Sequence, residues 1–241
     1  MNSEPVPPVP PLQGCLYCHR EGTTALATDR RLFGASRYPL VRCNHCGSVA
    51  ELDFNPEQPD DWRIRYRRVN QDPRYYYVAV HYRRRGWLEA SEALDISRRG
   101  YAQRMRVRQA EGGDFSWLTP PDADLPLVLR PAEQLLLEMR AVTLREVPSS
   151  TFFVRPNRGI LLDSGKCYLS TQRLLLHGQR QPWAHELITV DRALYNDRYW
   201  LIIAHDSQRW VQYVGTYLLE DQIDPQLFIT VVDYLALDRQ G

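Results

Sequence analysis

The sequence predicts an α+β chain of several domains. A small cysteine-rich β domain and a short helical segment precede a seven-stranded antiparallel barrel, which a C-terminal helix caps. Three observations predict this fold class. Four cysteines near the N-terminus fall into two Cys-x2-Cys pairs. An arginine-rich stretch between residues 62 and 110 has a helical pattern. Seven short apolar segments separated by turn residues then precede one amphipathic helix.

The composition is that of a globular chain without a strong electrostatic field. Its 241 residues are 44% hydrophobic and 24% charged, and its formal net charge is +1. This balance gives the whole molecule no attraction to a polyanion or an acidic membrane. No apolar run approaches the roughly 20 residues of a membrane-spanning helix, and the N-terminus lacks the pattern of a secretory signal. We therefore expect a cytoplasmic protein.

The first domain follows a proline-rich tail. Five prolines between residues 5 and 11 cannot pair into a sheet, so residues 1–14 are predicted to be disordered. The four cysteines then follow the pattern C-x2-C-x24-C-x2-C. Each pair can present two thiolates from a tight turn, and two such turns complete the tetrahedral four-sulfur shell that zinc prefers. The ligands of this predicted site are Cys15, Cys18, Cys43 and Cys46.

Other uses of these cysteines are less consistent with the sequence. Disulfides are disfavoured without an export signal, and a redox pair of the thioredoxin type would leave the second pair unexplained. His19 and His45 are adjacent to ligand cysteines, but four thiolates already fill a zinc shell. We predict one structural Zn²⁺ ion, with both histidines beside the ligands and not among them.

Short apolar segments at residues 40–42 and 49–52 flank the second cysteine pair and are predicted to be strands. Together with the paired cysteine turns, they make residues 12–54 resemble a zinc ribbon, and we assign residues 15–54 to that domain. A closed shell of four thiolates has no open position for water. The resemblance therefore implies a metal that stabilises a fold and does not hydrolyse a substrate.

The middle segment is strongly basic. Residues 55–61 are predicted to be a linker ending in a helix cap, and residues 62–110 carry 13 arginines against four acidic residues, a net charge of +9. Ser97 is a good N-cap, so the pattern around it predicts a helix, a short turn and a second helix. About twenty residues here resemble a helix-turn-helix, in which the second helix enters the major groove of DNA.

That resemblance implies a nucleic-acid-binding set on the second helix, and two alternatives stay open. The arginines could be solvated or paired with acidic groups on a small helical bundle, or they could contact RNA or another polyanion without sequence specificity. The candidate residues are Arg98, Arg99, Arg104, Arg106 and Arg108.

The last hundred residues predict a β domain. A proline-rich linker at residues 111–131 precedes a helix at 132–145, whose Leu135, Met139 and Val142 would face the barrel. Asp224 is predicted to cap the C-terminal helix, with Pro225 at its first position. The predicted strands are residues 151–154, 159–162, 166–170, 173–177, 186–190, 199–204 and 209–214.

Seven strands followed by one helix is the order of a PH-like barrel. Residues 165–178, Gly-Lys-Cys-Tyr-Leu-Ser-Thr-Gln-Arg-Leu-Leu-Leu-His-Gly, resemble the strand-turn-strand core of the GRAM and bacterial PH-like families. The resemblance covers residues 148–238, and we assign residues 132–241 to this domain with its preceding helix. It implies a non-catalytic scaffold that binds protein in many members and membrane lipid in others.

Lipid binding is the less favoured of these two functions. Residues 111–241 carry a net charge of −5, whereas anionic membranes attract basic clusters. The cations available for a phosphorylated headgroup are Arg155, Arg158, Lys166 and Arg173.

Catalytic patterns are missing from the sequence. It has no glycine-rich nucleotide loop, nucleophile elbow or paired-histidine zinc motif. The contiguous His205, Asp206 and Ser207 are predicted to form a turn, because neighbours in a turn cannot align as a catalytic triad. Cys167 lies in a predicted strand and is expected to be a buried, unreactive thiol. We expect no enzyme activity.

These observations favour a non-catalytic adaptor or regulator that binds other proteins through its zinc ribbon and its PH-like barrel. The alternative is a nucleic-acid-binding, transcription-related regulator that uses the arginine-rich segment. A membrane-lipid-binding module is a third possibility.

Overall fold

The computed structural model of the chain describes residues 10–27, 37–70, 72–121, 128–148, 156, 158–196, 199–205, 209–216 and 224–237. These residues form two antiparallel sheets, of five and seven strands, and four α-helices. The chain divides into two units, residues 1–105 and 106–241. Among the described residues, no helix has the length and apolar composition needed to cross a membrane.

The first unit is built on the five-stranded sheet, whose strands pair in chain order. Along β4, Trp62 and Ile64 are buried in the core, whereas Arg63 and Arg65 alternate with them on the other face. The elements are α1 (Pro10–Gln13), β1 (Thr24–Ala27), β2 (Leu40–Cys43), β3 (Val49–Asn55), β4 (Gln58–Arg68), α2 (Tyr76–Arg84), β5 (Leu88–Glu89) and α3 (Ala90–Glu111), the last of which continues beyond residue 105.

The predicted strands at 40–42 and 49–52 are confirmed as parts of β2 and β3. The predicted linker at 55–61 is wrong, because β3 and β4 are joined there by a tight hairpin. The backbone N–H of Glu57 donates to Asn55 Oδ1 over 3.0 Å and closes that turn. Residues 62–68 are therefore extended and not helical. The predicted disorder of residues 10–14 is also wrong, because Leu12 is buried in the core; residues 1–9 lie outside the described ranges.

The predicted helix-turn-helix is wrong, because residues 90–111 form one continuous helix, α3. Asp95 pairs with Arg99 at a distance of 2.9 Å, one helical turn later, and does not interrupt the helix. Gly100 remains in the helix because α2 packs closely there. A Cβ at that position would lie only 2.2 Å from the Cγ2 atom of Val78. Ser97 is not an N-cap, since its hydroxyl donates to the carbonyl oxygen of Leu16 over 2.8 Å.

The second unit contains the seven-stranded antiparallel sheet, with the strand order β10-β11-β12-β6-β7-β8-β9. Its first strand, β6, pairs with its last strand, β12, and β10 and β9 form the two edges. The strands are β6 (Leu135–Val147), β7 (Ile160–Ser170), β8 (Arg173–Gly178), β9 (Pro182–Glu186), β10 (Val190–Tyr195), β11 (Tyr199–His205) and β12 (Trp210–Thr216).

Helix α4 (Pro225–Leu237) supplies Leu227, Phe228, Val231 and Val232 to the core of this unit, as predicted. Its capping residue is also confirmed, since the backbone N–H of Gln226 donates to Asp224 Oδ1 over 2.7 Å. Three hydrophobic residues of the predicted linker pack against the same core: Phe115, Trp117 and Leu118.

The predicted helix at 132–145 is wrong, because residues 135–147 form β6. The strand has a register shift between Met139 and Val142, where Ala141 adopts a φ of +54°. This bulge changes the alternation of buried residues from odd to even positions. Met139 and Val142 consequently reach the same core from positions three residues apart, which imitates the spacing of a helix face. Leu135 does not share that core, because it packs with Tyr168 and Leu175 in a separate cluster.

Two predicted strands, at 159–162 and 166–170, are parts of the single strand β7. Residues 163–165 are therefore not a turn. Asp163 instead accepts hydrogen bonds from the backbone of Arg180 and Gln181 and from the indole N–H of Trp183, in the neighbouring hairpin. The predicted strand at 186–190 is wrong, because a 3-10 helix, Leu187–Thr189, separates the end of β9 from the start of β10. The one at 151–154 lies outside the described residues.

Candidate metal centre

The four predicted ligand cysteines converge at one buried point of the first unit. All four Sγ atoms lie within 4.8 Å of one another, and the distances Cys15–Cys46 and Cys18–Cys43 are both 3.7 Å. A metal with Zn–S bonds of about 2.3 Å in a tetrahedron requires sulfurs about 3.8 Å apart. These distances therefore fit a single tetrahedral ion. They also exclude disulfides, whose sulfurs are about 2.05 Å apart.

Two similar turns present the cysteines. In the first, the N–H of His19 donates to the carbonyl of Cys15 over 2.8 Å; in the second, the N–H of Gly47 donates to the carbonyl of Cys43 over 3.0 Å. His19 and Gly47 both have a positive φ, +61° and +71°, which reverses the chain after each ligand pair. We call residues 15–19 the first knuckle and residues 43–47 the second knuckle.

Polar groups of the surrounding chain point at the sulfur atoms. Ser48 Oγ lies 3.1 Å from Cys46 Sγ and 3.6 Å from Cys15 Sγ, and Thr23 Oγ1 lies 3.3 Å from Cys43 Sγ. Hydrogen bonds from the thiols of Cys15 and Cys18 and from Ser48 lower the pKa of Cys46 below its ordinary value, although burial opposes the shift. Thiolate is the form that a metal binds. The same network raises the pKa of Cys15, chiefly through its hydrogen bond with Cys18, so the surroundings favour the thiolate of Cys46 in particular.

An aromatic cluster, which the sequence did not reveal, covers the site from within the core. Tyr17 lies between two ligands of the first knuckle and is completely buried. Its ring centroid lies 5.4–6.4 Å from those of Tyr66, Tyr75 and Tyr82. These rings help to exclude water, which strengthens the interaction of a metal with its thiolates.

Asn70 joins the two knuckles. Its side-chain amide donates to the backbone carbonyl of Cys46 over 2.9 Å, and its backbone carbonyl accepts a hydrogen bond from the hydroxyl of Tyr17. No sequence signal marks this residue, because it follows β4 and lies 24 residues after the ligand whose carbonyl it contacts.

The two histidines next to the ligands have different surroundings. His45 is exposed. The ring of His19 contacts α3, where Arg104 donates to Nδ1 over 2.6 Å and Nε2 lies 2.7 Å from the carbonyl of Ser97. Arginine has only donors, so Nδ1 is the acceptor and the ring is the neutral Nε2–H tautomer. Burial and the charge of Arg104 accordingly lower the pKa of His19 to about 4, although the hydrogen bond with Ser97 opposes this.

The candidate nucleic-acid-binding arginines all lie on α3, but their environments differ. Arg104 is half-buried and also donates to the carbonyl of Tyr17 over 3.3 Å. Arg99 pairs with Asp95, and the Arg106 guanidinium lies 5.6 Å from the centroid of the Trp117 ring. The exposed members of the set are Arg98, Arg99, Arg106 and Arg108.

The candidate lipid-binding residues do not form one open basic cluster in the described part of the chain. Arg173 is buried and binds Glu133 through Nη2 over 2.6 Å. Lys166 lies 3.5 Å from Glu138, and Arg158 is exposed. Arg155 lies outside the described residues.

The sequence contained two possible sources of a nucleophile, the thiol of Cys167 and the contiguous His205, Asp206 and Ser207. Cys167 is completely buried in β7, and burial raises the pKa of its thiol well above the usual range. His205 ends β11, while Asp206 and Ser207 lie outside the described residues.

Comparison with known proteins assigns no family to the chain. No protein-family model matches the sequence, and no curated protein matches it significantly.

Proposed function

We propose that this protein is a non-catalytic adaptor or regulator whose first unit is folded around one structural Zn²⁺ ion and whose second unit binds other proteins. The observation that supports this most directly is the convergence of the four buried sulfurs, which all lie within 4.8 Å of one another and include two pairs at 3.7 Å. Cys15, Cys18, Cys43 and Cys46 would hold the ion through their thiolates. Four thiolates complete its coordination, so the ion would stabilise the fold without activating a substrate.

Metal analysis of the purified chain tests this assignment. We expect one zinc atom per chain and loss of that zinc in the variant Cys43→Ser. A Cys167→Ser variant is the matched control, because Cys167 belongs to the second unit and should not affect the metal content. Iron in place of zinc, or zinc retained by Cys43→Ser, would contradict the proposal.

The second unit is proposed to be a PH-like barrel that docks protein. Pairing of β6 with β12 brings the ends of the meander together, and α4 packs into the core, which supports such a barrel. Protein docking is favoured over lipid binding because Arg173 and Lys166 are engaged by acidic side chains. Ile160, at the start of β7, is 69% exposed and is our candidate docking contact.

Affinity capture from the native cell, compared between variants, tests the docking surface. The variant Ile160→Asp should lose a protein that the unmodified chain retains. Val128→Asp is the control, since Val128 is 90% exposed and lies elsewhere in the same unit. Equal retention by all three chains would reject this surface. Anionic liposomes should not pellet the chain, and pelleting would favour the lipid-binding alternative.

Nucleic-acid binding is the second candidate function. One specific observation favours it: between residues 96 and 110, α3 carries five arginines and no acidic residue. Because α3 is continuous, it would contact the phosphate backbone without the docking geometry of a helix-turn-helix. If each of the four exposed arginines contacts one phosphate, affinity should fall about 10²-fold between 50 and 200 mM salt. Absence of DNA and RNA binding even at 50 mM salt would remove this candidate.

A further inference from the structure

The first knuckle is held by two residues of α3 that lie on the same face of that helix. Ser97 and Arg104 are seven residues apart, which is two helical turns. Ser97 Oγ donates to the carbonyl of Leu16 over 2.8 Å, and Arg104 Nη1 donates to the carbonyl of Tyr17 over 3.3 Å. Leu16 and Tyr17 are the two residues between the ligands Cys15 and Cys18, so α3 fixes the backbone that spaces this ligand pair.

The same two residues also hold the end of the knuckle. His19 Nε2 lies 2.7 Å from the Ser97 carbonyl and 2.8 Å from Ser97 Oγ, and Arg104 Nη2 lies 2.6 Å from His19 Nδ1. One hydrogen assignment satisfies every contact. The Ser97 hydroxyl donates to Leu16, the Nε2–H of His19 donates to Ser97, and Nδ1 accepts from Arg104.

Aromatic rings hold Arg104 in this position. The Arg104 guanidinium carbon lies 5.1 Å from the centroid of the Tyr75 ring and 5.8 Å from that of Tyr101. The planar guanidinium can donate to Tyr17 and His19 at once, which a lysine ammonium at this position would not reproduce with the same geometry.

From these contacts we infer that Ser97 and Arg104 are positioning residues of the metal site, and that metal binding and the docking of α3 onto the first knuckle are thermodynamically coupled. The inference rests on the proposed zinc site. A residue that stabilises the ligating form of the knuckle raises the affinity for metal. By reciprocity, the bound metal stabilises the contacts with α3 to the same extent. Zinc would thereby fix the helix that carries the exposed Arg98 and Arg99.

Zinc affinity of the full chain, measured by competition with a chromophoric chelator, tests this coupling. We expect Arg104→Ala to bind zinc about 10–100-fold more weakly, the range found when partners of metal ligands are removed. Ser97→Ala should weaken binding in the same direction, and Arg104→Lys should lie between Arg104→Ala and the unmodified chain. Arg98→Ala is the matched control, because Arg98 is an exposed arginine of the same helix, and its affinity should be unchanged.

A second readout separates positioning from ligation. Co²⁺ bound to Arg104→Ala should give the same tetrahedral thiolate absorption spectrum as Co²⁺ bound to the unmodified chain, since all four sulfurs remain. In the unmodified chain, amide hydrogens of residues 97–104 should exchange faster after zinc is removed by a chelator. This exchange experiment needs no substitution and therefore does not depend on whether a variant folds.

The outcomes distinguish the two proposals. If the unmodified chain binds no zinc, the proposed metal function fails. If it binds zinc and Arg104→Ala and Ser97→Ala bind it as tightly as Arg98→Ala does, the coupling is rejected while the metal site stands. Unchanged amide exchange at residues 97–104 on removal of zinc would also overturn the coupling.

Discussion

Among individual residues, Arg173 and Glu133 form a buried ion pair in the second unit that the sequence did not predict. Arg173 binds both carboxylate oxygens of Glu133, over 3.0 and 2.6 Å, and Ser170 Oγ donates to the same carboxylate over 2.6 Å. Burial opposes the charge, but hydrogen bonds from Arg173, the Arg130 backbone and Ser170 lower the pKa of Glu133 to about 2. Arg173, which the sequence offered as a lipid-binding cation, therefore has a structural partner.

Removal of one member of this pair should be strongly destabilising. Glu133→Ala leaves a guanidinium with only 10% of its side-chain surface exposed, so we expect the free energy of unfolding to fall by about 3–5 kcal/mol. Urea unfolding measures the change. The control is Arg130→Ala, whose pair with Glu186 is about half exposed and is worth less than about 1 kcal/mol. Equal effects of the two substitutions would contradict the structural role of the buried pair.

Asp224, the capping residue of α4, is a buried acid. Burial raises the pKa of Asp224 from its usual 3.8 to about 7, although backbone hydrogen bonds from Gln226 and Leu227 oppose the shift. An acid whose pKa is raised on folding binds its proton more tightly in the native state. Its contribution to stability is therefore fully present below about pH 4 and is lost as the pH rises towards 7.

Asp224→Asn keeps a capping oxygen but cannot ionise. We expect this variant to be more stable than the unmodified chain at pH 8, with a difference that shrinks as the pH falls from 7 to 4. Thermal unfolding at a series of pH values measures it. A variant that is less stable than the unmodified chain at pH 8 would show that the buried charge of Asp224 does not lower the free energy of unfolding.

At the element scale, the close approach of α2 and α3 explains why a glycine is retained inside a helix. Alanine is about 1 kcal/mol better than glycine in a helix interior, yet a Cβ at residue 100 would lie 2.2 Å from Val78 Cγ2. Gly100→Ala should therefore lower the free energy of unfolding by about 1–3 kcal/mol.

A double-mutant cycle isolates that contact. Val78→Ala removes the atom that an alanine at residue 100 would meet, so the second substitution should cost less in the Val78→Ala background than in the unmodified chain. Chemical denaturation of the four chains measures the coupling. Additive effects would mean that the two helices do not approach as closely as the structure shows.

Some elements could be predicted from the sequence alone. The cysteine spacing, the strands β2 and β3 and the capped helix α4 each have a local signal that tertiary packing does not alter. The strand β6 does not, because its bulge at Ala141 brings Met139 and Val142, three residues apart, into the same core and so imitates a helix. The continuity of α3 was also hidden. The cap signal at Ser97 reflects a hydrogen bond to the carbonyl of Leu16, which is distant in sequence.

The sequence likewise predicts only part of the candidate metal site. Its ligands could be predicted, since their pattern alone indicates a four-sulfur shell. The residues that hydrogen-bond to the knuckles could not be predicted. Asn70 contacts them from the segment after β4, and Ser97 and Arg104 contact them from α3. Such long-range hydrogen bonds leave no spacing or composition signal in a single sequence.

At the scale of the whole molecule, the proposed metal belongs to one unit. All four ligands and their hydrogen-bond partners lie in residues 10–105. We therefore expect a chelator to abolish amide protection in β2 and β3 while strands β7 and β8 of the second unit stay protected. Hydrogen exchange measured by mass spectrometry reads both units in one sample. Equal protection of β2 and β3 with and without metal would show that the ion does not stabilise the first unit.

In the proposed metal site, four thiolates surround one ion. Zinc K-edge X-ray absorption of the purified chain measures that coordination directly. The structure predicts a single shell of four sulfur atoms at about 2.3 Å, with no nitrogen or oxygen neighbour. A first shell containing nitrogen or oxygen, or zinc that does not bind in stoichiometric amount, would contradict it.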